Sequence, residues 1–236
     1  MIAIATSELR MLVRNRLVAL LGILSPLIIG GIFIINRPAE GGLATAATLQ
    51  IVAMLGLGVY VTATTTLSAR RQNLFLKRLR SSAVSDPSII AGLVVPIILV
   101  GLVQVGIILT GLAVSASTAP VHVWLLVVVV LIVDVMFAGF AVATAGVTNS
   151  PEHAQFTTLP LFFATLGAAF WVTFTGTQEL GILKQALPLG AIPELMTIVW
   201  YDGDLSRVPL LLIPTLAWTA IAVLAARFMF RWEPRA

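Results

Sequence analysis

The sequence predicts an all-α membrane protein with six transmembrane helices, an N-terminal amphipathic interfacial helix and a short re-entrant helix pair before the last span. Two observations lead to this fold class. Of the 236 residues, 59% are hydrophobic and 10% are charged, whereas a soluble domain carries about 25% charged residues. The apolar residues also fall into runs long enough to cross a bilayer, which takes about 20 residues.

The net charge of +4 comes from basic residues with few acids to balance them. Cytoplasmic loops of membrane proteins carry such an excess, so the charge indicates loop position and not a nucleic-acid partner. The sequence contains no cysteine, which excludes disulfides and thiolate metal sites. Arginine outnumbers lysine, and Ala, Val and Leu are abundant, as is typical of a GC-rich bacterial genome.

Residues 1–16 are predicted to form a helix at the membrane surface. An apolar stripe that includes Leu9 lies opposite a polar stripe that includes Arg10 and Arg14. The alternative is an ordinary charged stop before the first span. That span is predicted over residues 17–36, and its apolar run is too long for a signal peptide.

Residues 44–68 form the second predicted span. Thr62 and Thr65 fall near one face of it together with Gln50. In lipid, such a face should point at other helices or at a substrate pathway. The alternative is that the hydroxyls bond back to their own helix.

The segment between the second and third spans, residues 69–86, is named here the basic segment. On a helical wheel, Arg70, Asn73, Lys77 and Arg80 form a polar, mostly basic stripe, and Phe75, Leu76 and Leu79 form an apolar one. A helix with this pattern either lies on a bilayer or docks into a partner protein. The segment holds five basic residues, Arg70, Arg71, Lys77, Arg78 and Arg80.

The remaining predicted spans are residues 87–114, 122–146, 154–175 and 209–230. The third and fifth begin alike, with Asp86 as the N-cap before Pro87 and Ser150 as the N-cap before Pro151. Residues 177–204, before the last span, hold two apolar stretches that are each too short to cross a bilayer. We expect two short helices that dip into the membrane from the extracellular side. The alternative is one seventh span, which the prolines in this stretch oppose.

Six spans place both termini on the same side of the membrane. The basic residues fall on that side with three exceptions, Arg37, Lys184 and Arg207. The positive-inside rule then places both termini in the cytoplasm of a bacterial cell. The predicted location is the inner or plasma membrane.

Motifs for chemistry are scarce. The sequence has no Gly-x-x-x-x-Gly-Lys-Ser/Thr loop, no His-Glu-x-x-His and no Gly-x-Ser-x-Gly. We therefore expect a chain that is not itself an enzyme and that holds no cofactor or metal.

Asp134 is the exception among the apolar spans. It lies halfway along the fourth span, where a charge costs about 2.5–3.5 kcal/mol. One interpretation makes it a proton or substrate site. The other is a structural hydrogen bond to Gln104 or to a threonine of the second span.

The order of these features resembles the permease subunit of ABC-2-type exporters, the family of daunorubicin-resistance-like drug and antibiotic exporters. The resemblance covers nearly the whole chain. At Gln72 and Asn73 the chain departs from the family, which has an acidic residue there. The matching features are the basic segment, Glu8-Leu9-Arg10, Asn149-Ser150-Pro151-Glu152, the broken pair at 177–204 and the tail Phe230-Arg231-Trp232.

The resemblance implies half of a membrane homodimer or heterodimer that exports a lipophilic drug, antibiotic or lipid. A separate ATPase subunit would bind ATP and Mg and dock on the cytoplasmic face. The docking residues implied are Arg70, Arg71, Phe75, Leu76, Lys77, Arg78, Leu79, Arg80, Glu8, Arg10 and Arg14. The candidate substrate pathway consists of Thr62, Thr65, Gln104 and Asp134. The alternative function is a secondary transporter or channel coupled through Asp134.

Overall fold

The computed structural model describes residues 5–7, 24–36, 42–81, 84–230 and 232. These residues are mostly helical, and none of them lies in a β-strand. Five of the helices are long and apolar enough to cross a membrane. The all-helical class is therefore confirmed for the described residues, and the five helices are in line with the predicted transmembrane character. The count of six spans stays a prediction, because much of the first predicted span lies outside the described residues.

Each of the five candidate spans is one long helix, and the connections between them contain shorter ones. The second span is continuous but includes a π-helical segment, Gly56–Val61, and a 3₁₀ turn, Leu205–Arg207, leads into the last span. In the described part of the chain the helices are α1 (Ser25–Ile35), α2 (Gly42–Gln72), α3 (Phe75–Arg80), α4 (Asp86–Ala116), α5 (Val123–Val147), α6 (Pro151–Thr175), α7 (Gly181–Ala186), α8 (Ile192–Tyr201) and α9 (Val208–Met229).

Helix α2 is the most buried of the five spans and packs against α1, α4, α5, α6 and α8. Glycines at its crossings explain how its neighbours approach so closely. A Cβ atom on Gly56 would lie 2.6 Å from the ring of Phe162 in α6, and one on Gly101 of α4 would overlap the side chain of Val59. Both crossings involve residues of the π-helical segment.

Helices α5 and α9 form the most extensive helix pair. A Cβ atom on Gly139 would lie 3.0 Å from the backbone of Ala222, and one on Gly146 would overlap the carbonyl oxygen of Met229. The second contact lies further along both helices than the first, so the two helices run in the same direction. Small residues let the two backbones touch, which is a common way to pack helices in lipid.

The bundle has two chemically distinct ends. At the end named here the basic end, Arg71 contacts Gly146, and Arg80 lies against Trp232. At the opposite end, named the acidic end, His122 pairs with Asp202 at 3.0 Å. The short helices α7 and α8 and the loop acids around them lie at the acidic end.

The basic segment is not one continuous amphipathic helix. Helix α2 continues to Gln72, and Leu74 then adopts a left-handed conformation with φ 55°. Helix α3 begins anew at Phe75. The wheel that placed Arg70 and Lys77 on one stripe was therefore wrong, because the chain turns between them.

One of the two predicted helix caps is confirmed. The hydroxyl of Ser150 accepts a hydrogen bond of 3.3 Å from the backbone N–H of His153. The prediction of Asp86 as an N-cap was wrong, because Ser85 occupies that position. The Asp86 carboxylate instead pairs with Arg80 at 3.3 Å.

Two short helices, α7 and α8, occupy the stretch predicted to hold a broken pair. Lys184 of α7 is 3% exposed and donates to the Thr175 hydroxyl and the Gly176 carbonyl, at 2.8 and 2.7 Å. The indole N–H of Trp218, well inside α9, donates to the carbonyl of Ala186 at 2.9 Å. These bonds fix α7 between α6 and α9, while its depth in a membrane stays a prediction.

Candidate coupling surface and buried polar groups

The exposed side of the basic segment is cationic. Lys77, Arg78 and Arg80 of α3 are exposed, as are Gln72 at the end of α2 and Asn73 in the turn after it. The guanidinium of Arg78 donates to the Asn73 carbonyl at 3.2 Å, which ties the helix to its own turn. The surface available to a partner is therefore polar and positively charged.

The apolar side of α3 packs inside the chain. Leu76 is fully buried, and Phe75 and Leu79 pack against the same hydrophobic core. Burial of a leucine side chain contributes about 1.5–3 kcal/mol. This stripe thus anchors α3 to the bundle, and the basic stripe is left facing outward.

Arg71 points into the protein although it belongs to the basic segment. It is 1% exposed, and its guanidinium donates to the carbonyl oxygens of Gly146, at 3.1 Å, and Thr148. Both carbonyls belong to the C-terminal end of α5, where backbone acceptors lack helical partners and the helix dipole favours a cation. Arg71 therefore joins the end of α2 to the end of α5.

Arg80 holds the other end of α3. Besides its ion pair with Asp86 at the start of α4, its guanidinium lies 5.2 Å from the ring centre of Trp232. Trp232 in turn packs edge-on against Phe230, with ring centres 5.3 Å apart. These contacts connect α3 to α4 and to the residues that follow α9.

The remaining docking candidates fall into two groups. Arg70 is half-buried and lies 5.2 Å from the ring centre of Phe75. Glu8, Arg10 and Arg14 lie outside the described residues.

Thr62 and Thr65, the two pathway candidates of the second span, bond to their own helix. Thr65 donates to the Val61 carbonyl at 2.9 Å, and Thr62 donates to the Leu57 carbonyl at 3.2 Å. The Thr62 bond reaches five residues back and spans the π-helical segment. The structure therefore agrees with the alternative in which these hydroxyls donate to carbonyls of their own helix.

Asp134 and Gln104 are both buried, at 1% and 2% exposure. Neither carboxylate oxygen of Asp134 has a hydrogen-bond partner among the described residues. The interhelical hydrogen bond to Gln104 or to a threonine of α2 is therefore not formed there. Beyond Asp134, at helical spacing, α5 continues with three buried alanines, Ala138, Ala141 and Ala145. A buried carboxyl group without a partner is expensive, which marks Asp134 as a candidate functional group.

A cavity at the acidic end escaped the sequence analysis. It has a volume of about 330 Å³ and lies between α2, α6 and α8. Five threonines and Glu194 supply its polar lining, Thr45, Thr48, Thr173, Thr177 and Thr197. The sequence signal for this cavity was the spacing of these threonines. Thr45 and Thr48 are three residues apart in α2, and Thr173 and Thr177 are four apart, from α6 into the turn after it. This signal was weak, because threonine is also an ordinary packing residue in membrane helices.

Metal binding finds no support in the described ranges. Nowhere in residues 24–36, 42–81 or 84–230 do three His, Asp or Glu side chains gather closely enough to hold an ion.

Comparison with known proteins assigns no family. A scan against protein-family models finds no match, and a search of the curated proteins finds none either. The described residues by themselves define the class: a helical protein with five helices able to span a membrane and a cationic short helix at one end of the bundle.

Proposed function

We propose that the chain is the transmembrane permease subunit of an ATP-driven exporter that moves a lipophilic drug, antibiotic or lipid-like molecule out of a bacterial cell. A separate ATPase subunit supplies ATP and Mg and docks on the basic end in the cytoplasm. A second permease copy, identical or related, completes the membrane part.

The observation that carries this proposal is the attachment of α3. Its apolar stripe is buried in the core, while Lys77 and Arg78 are exposed. A short helix attached in this way cannot be displaced without also moving the helices that it contacts. Its cationic side suits a partner surface that carries acidic residues.

Three contacts can transmit a movement of α3 to the transmembrane helices. Arg71 connects its neighbourhood to the end of α5, Asp86 connects it to the start of α4, and Trp232 connects it to the segment after α9. Packed side chains and rigid helices with such contacts can carry coupling between distant sites. The π-helical segment of α2 lies between α3 and the acidic end. Such segments are frequent at functional positions.

The proposal is tested by purifying the tagged full-length chain from its native membrane in mild detergent. An ATP-hydrolysing subunit should co-purify in stoichiometric amount, with vanadate-sensitive activity. Purified chain without a partner should not transport in proteoliposomes. Transport by the chain alone under a proton gradient would contradict the proposal.

One observation favours a second candidate function. Asp134 is buried without a hydrogen-bond partner among the described residues, as expected for a coupling site in a secondary transporter or channel. In that case, proton-driven transport by the chain alone would be abolished by Asp134→Asn.

A further inference from the structure

The cavity at the acidic end is built from hydroxyl groups on an apolar frame. The frame comes from one residue on each of the three helices around it, Ala44 of α2, Val172 of α6 and Pro193 of α8. The cavity is half-open, and its volume of about 330 Å³ falls within the range of about 300–1,000 Å³ typical of small-molecule sites.

Two of the lining hydroxyls have no hydrogen-bond partner among the described residues, those of Thr48 and Thr173. Thr48 is fully buried, and Thr173 is half-buried with its hydroxyl oxygen inaccessible to solvent. A buried hydroxyl without a partner is unfavourable. A ligand group that reaches either hydroxyl would satisfy it with a hydrogen bond.

The charged lining group is already neutralised. The Glu194 carboxylate accepts a hydrogen bond of 2.8 Å from the Gln185 amide and pairs with Arg207 at 2.7 Å. Both of its oxygens are therefore occupied, by a neutral donor and by a cation. A cationic ligand would have to displace Arg207, and an anionic one would approach a carboxylate.

We infer that this cavity binds the uncharged, hydroxyl-bearing head of an amphipathic molecule, such as a glycosyl group on an alkyl chain. The hydroxyls of the lining provide donors and acceptors for such a head. Ala44, Val172 and Pro193 contact its apolar part. The interpretation of this cavity as a site for transported cargo rests on the proposed function. Binding of the ligand to the cavity requires no ATPase.

The test uses the full-length chain in phosphatidylcholine nanodiscs. The probe is an octyl glucoside that carries a photoreactive diazirine next to its head group, and the labelled residues are identified by mass spectrometry. Labelling should concentrate in residues 44–48, 172–177 and 193–197. Unlabelled octyl glucoside should compete at least tenfold better than the octyltrimethylammonium ion.

Two valine substitutions remove a single hydroxyl each at nearly constant volume. Thr173→Val and Thr48→Val should each reduce specific labelling by about three- to tenfold, the worth of one hydrogen bond. Neither should lower the melting temperature, because neither hydroxyl has a described partner to lose. Thr158→Val on α6 is the matched control; its hydroxyl bonds to the Ala154 carbonyl at 2.8 Å, away from the cavity, so labelling should not change.

Labelling spread evenly over the lipid-exposed surface, or equal competition by the cationic amphiphile, would overturn the inference. So would unchanged labelling in both cavity variants. Mass spectrometry of lipid extracted from the purified protein distinguishes the sources of the ligand: a glycolipid that co-purifies identifies a resident lipid, and a site that is empty as purified and takes up the probe indicates a ligand that exchanges with its surroundings. If the cavity binds the probe and no ATPase co-purifies, the proposed function is wrong and the binding site is supported. If an ATPase co-purifies and the cavity does not bind the probe, the binding site is wrong and the proposed function is unaffected.

Discussion

The guanidinium of Arg71 donates a hydrogen bond of 3.1 Å to the carbonyl oxygen of Gly146, and Gly146 in turn lies directly against the backbone of Met229. One buried cation thus reaches the point where α2, α5 and α9 meet at the basic end. Any movement of the basic segment that shifts Arg71 must also shift this junction. The first two predictions concern its stability.

Replacement of Arg71 by glutamine should destabilise the folded chain by about 2–4 kcal/mol, because hydrogen bonds from a charged donor are lost and buried carbonyls lose their partner. The measurement is thermal unfolding in detergent micelles. Arg78→Gln is the matched control, since Arg78 is exposed, and it should change stability by less than about 0.5 kcal/mol. Equal effects of the two substitutions would refute the role given to Arg71.

Gly146→Ala should destabilise the chain by about 1–3 kcal/mol, because the new methyl group forces the backbones of α5 and α9 apart. Gly167→Ala in α6 is the control. A Cβ atom on Gly167 meets nothing within 4 Å, and alanine is the better helix former. Thermal unfolding of the two variants should therefore move in opposite directions, and a shift of the same sign and size would show that the α5–α9 contact is looser than described.

Asp134→Asn should leave ATP-driven transport within about twofold of the wild type and should not lower stability, because a neutral amide is cheaper to bury than a carboxylate. Transport of a fluorescent amphiphile into proteoliposomes that contain both subunits gives the first quantity, and thermal unfolding gives the second. Loss of transport in a variant that still folds and still supports ATP hydrolysis would instead make Asp134 part of the transport pathway.

Removal of the Arg207 partner of Glu194 should change which amphiphiles bind in the cavity at the acidic end. In Arg207→Ala the carboxylate loses its cation partner, so the octyltrimethylammonium ion should compete for the photolabelled site more strongly than in the wild type. The expected gain is about two- to fivefold, which corresponds to the roughly 0.5–1 kcal/mol of a partly exposed ion pair, since a quaternary ammonium has no N–H to donate. An unchanged preference would mean that Glu194 does not face the ligand.

The spans were predictable from sequence because length and hydropathy are local properties. The end at which the basic residues gather followed from charge alone, and the contacts of Arg71 and Arg80 are consistent with it. The Ser150 cap was also predictable, since a serine followed by proline carries a local signal.

What could not be predicted depends on contacts between distant residues. Arg71 looks like any surface arginine until the end of α5 is placed beside it. The left-handed turn at Leu74 follows from the packing of Leu76 into the core, which overrides the helical pattern. Ser85 occupies the N-cap position, while Asp86 pairs with Arg80, a contact between two helices that the local sequence pattern does not reveal.

The central claim is that the cationic side of α3 receives the ATPase subunit, and a charge reversal there tests it most directly. The double variant Lys77→Glu, Arg78→Glu alters exposed side chains and leaves the buried apolar stripe intact, unlike a charge placed at Phe75 or Leu79. Arg227→Glu is the matched control, because Arg227 is an exposed cation near the end of α9.

The quantity to measure is vanadate-sensitive ATPase activity per mole of permease purified from the native membrane. The account predicts that the double variant retains its elution profile and melting temperature but loses at least about tenfold in recovered activity, as expected when charges complementary to a partner are reversed. Arg227→Glu should recover the wild-type activity. Equal recovery from the double variant and the control would contradict the account.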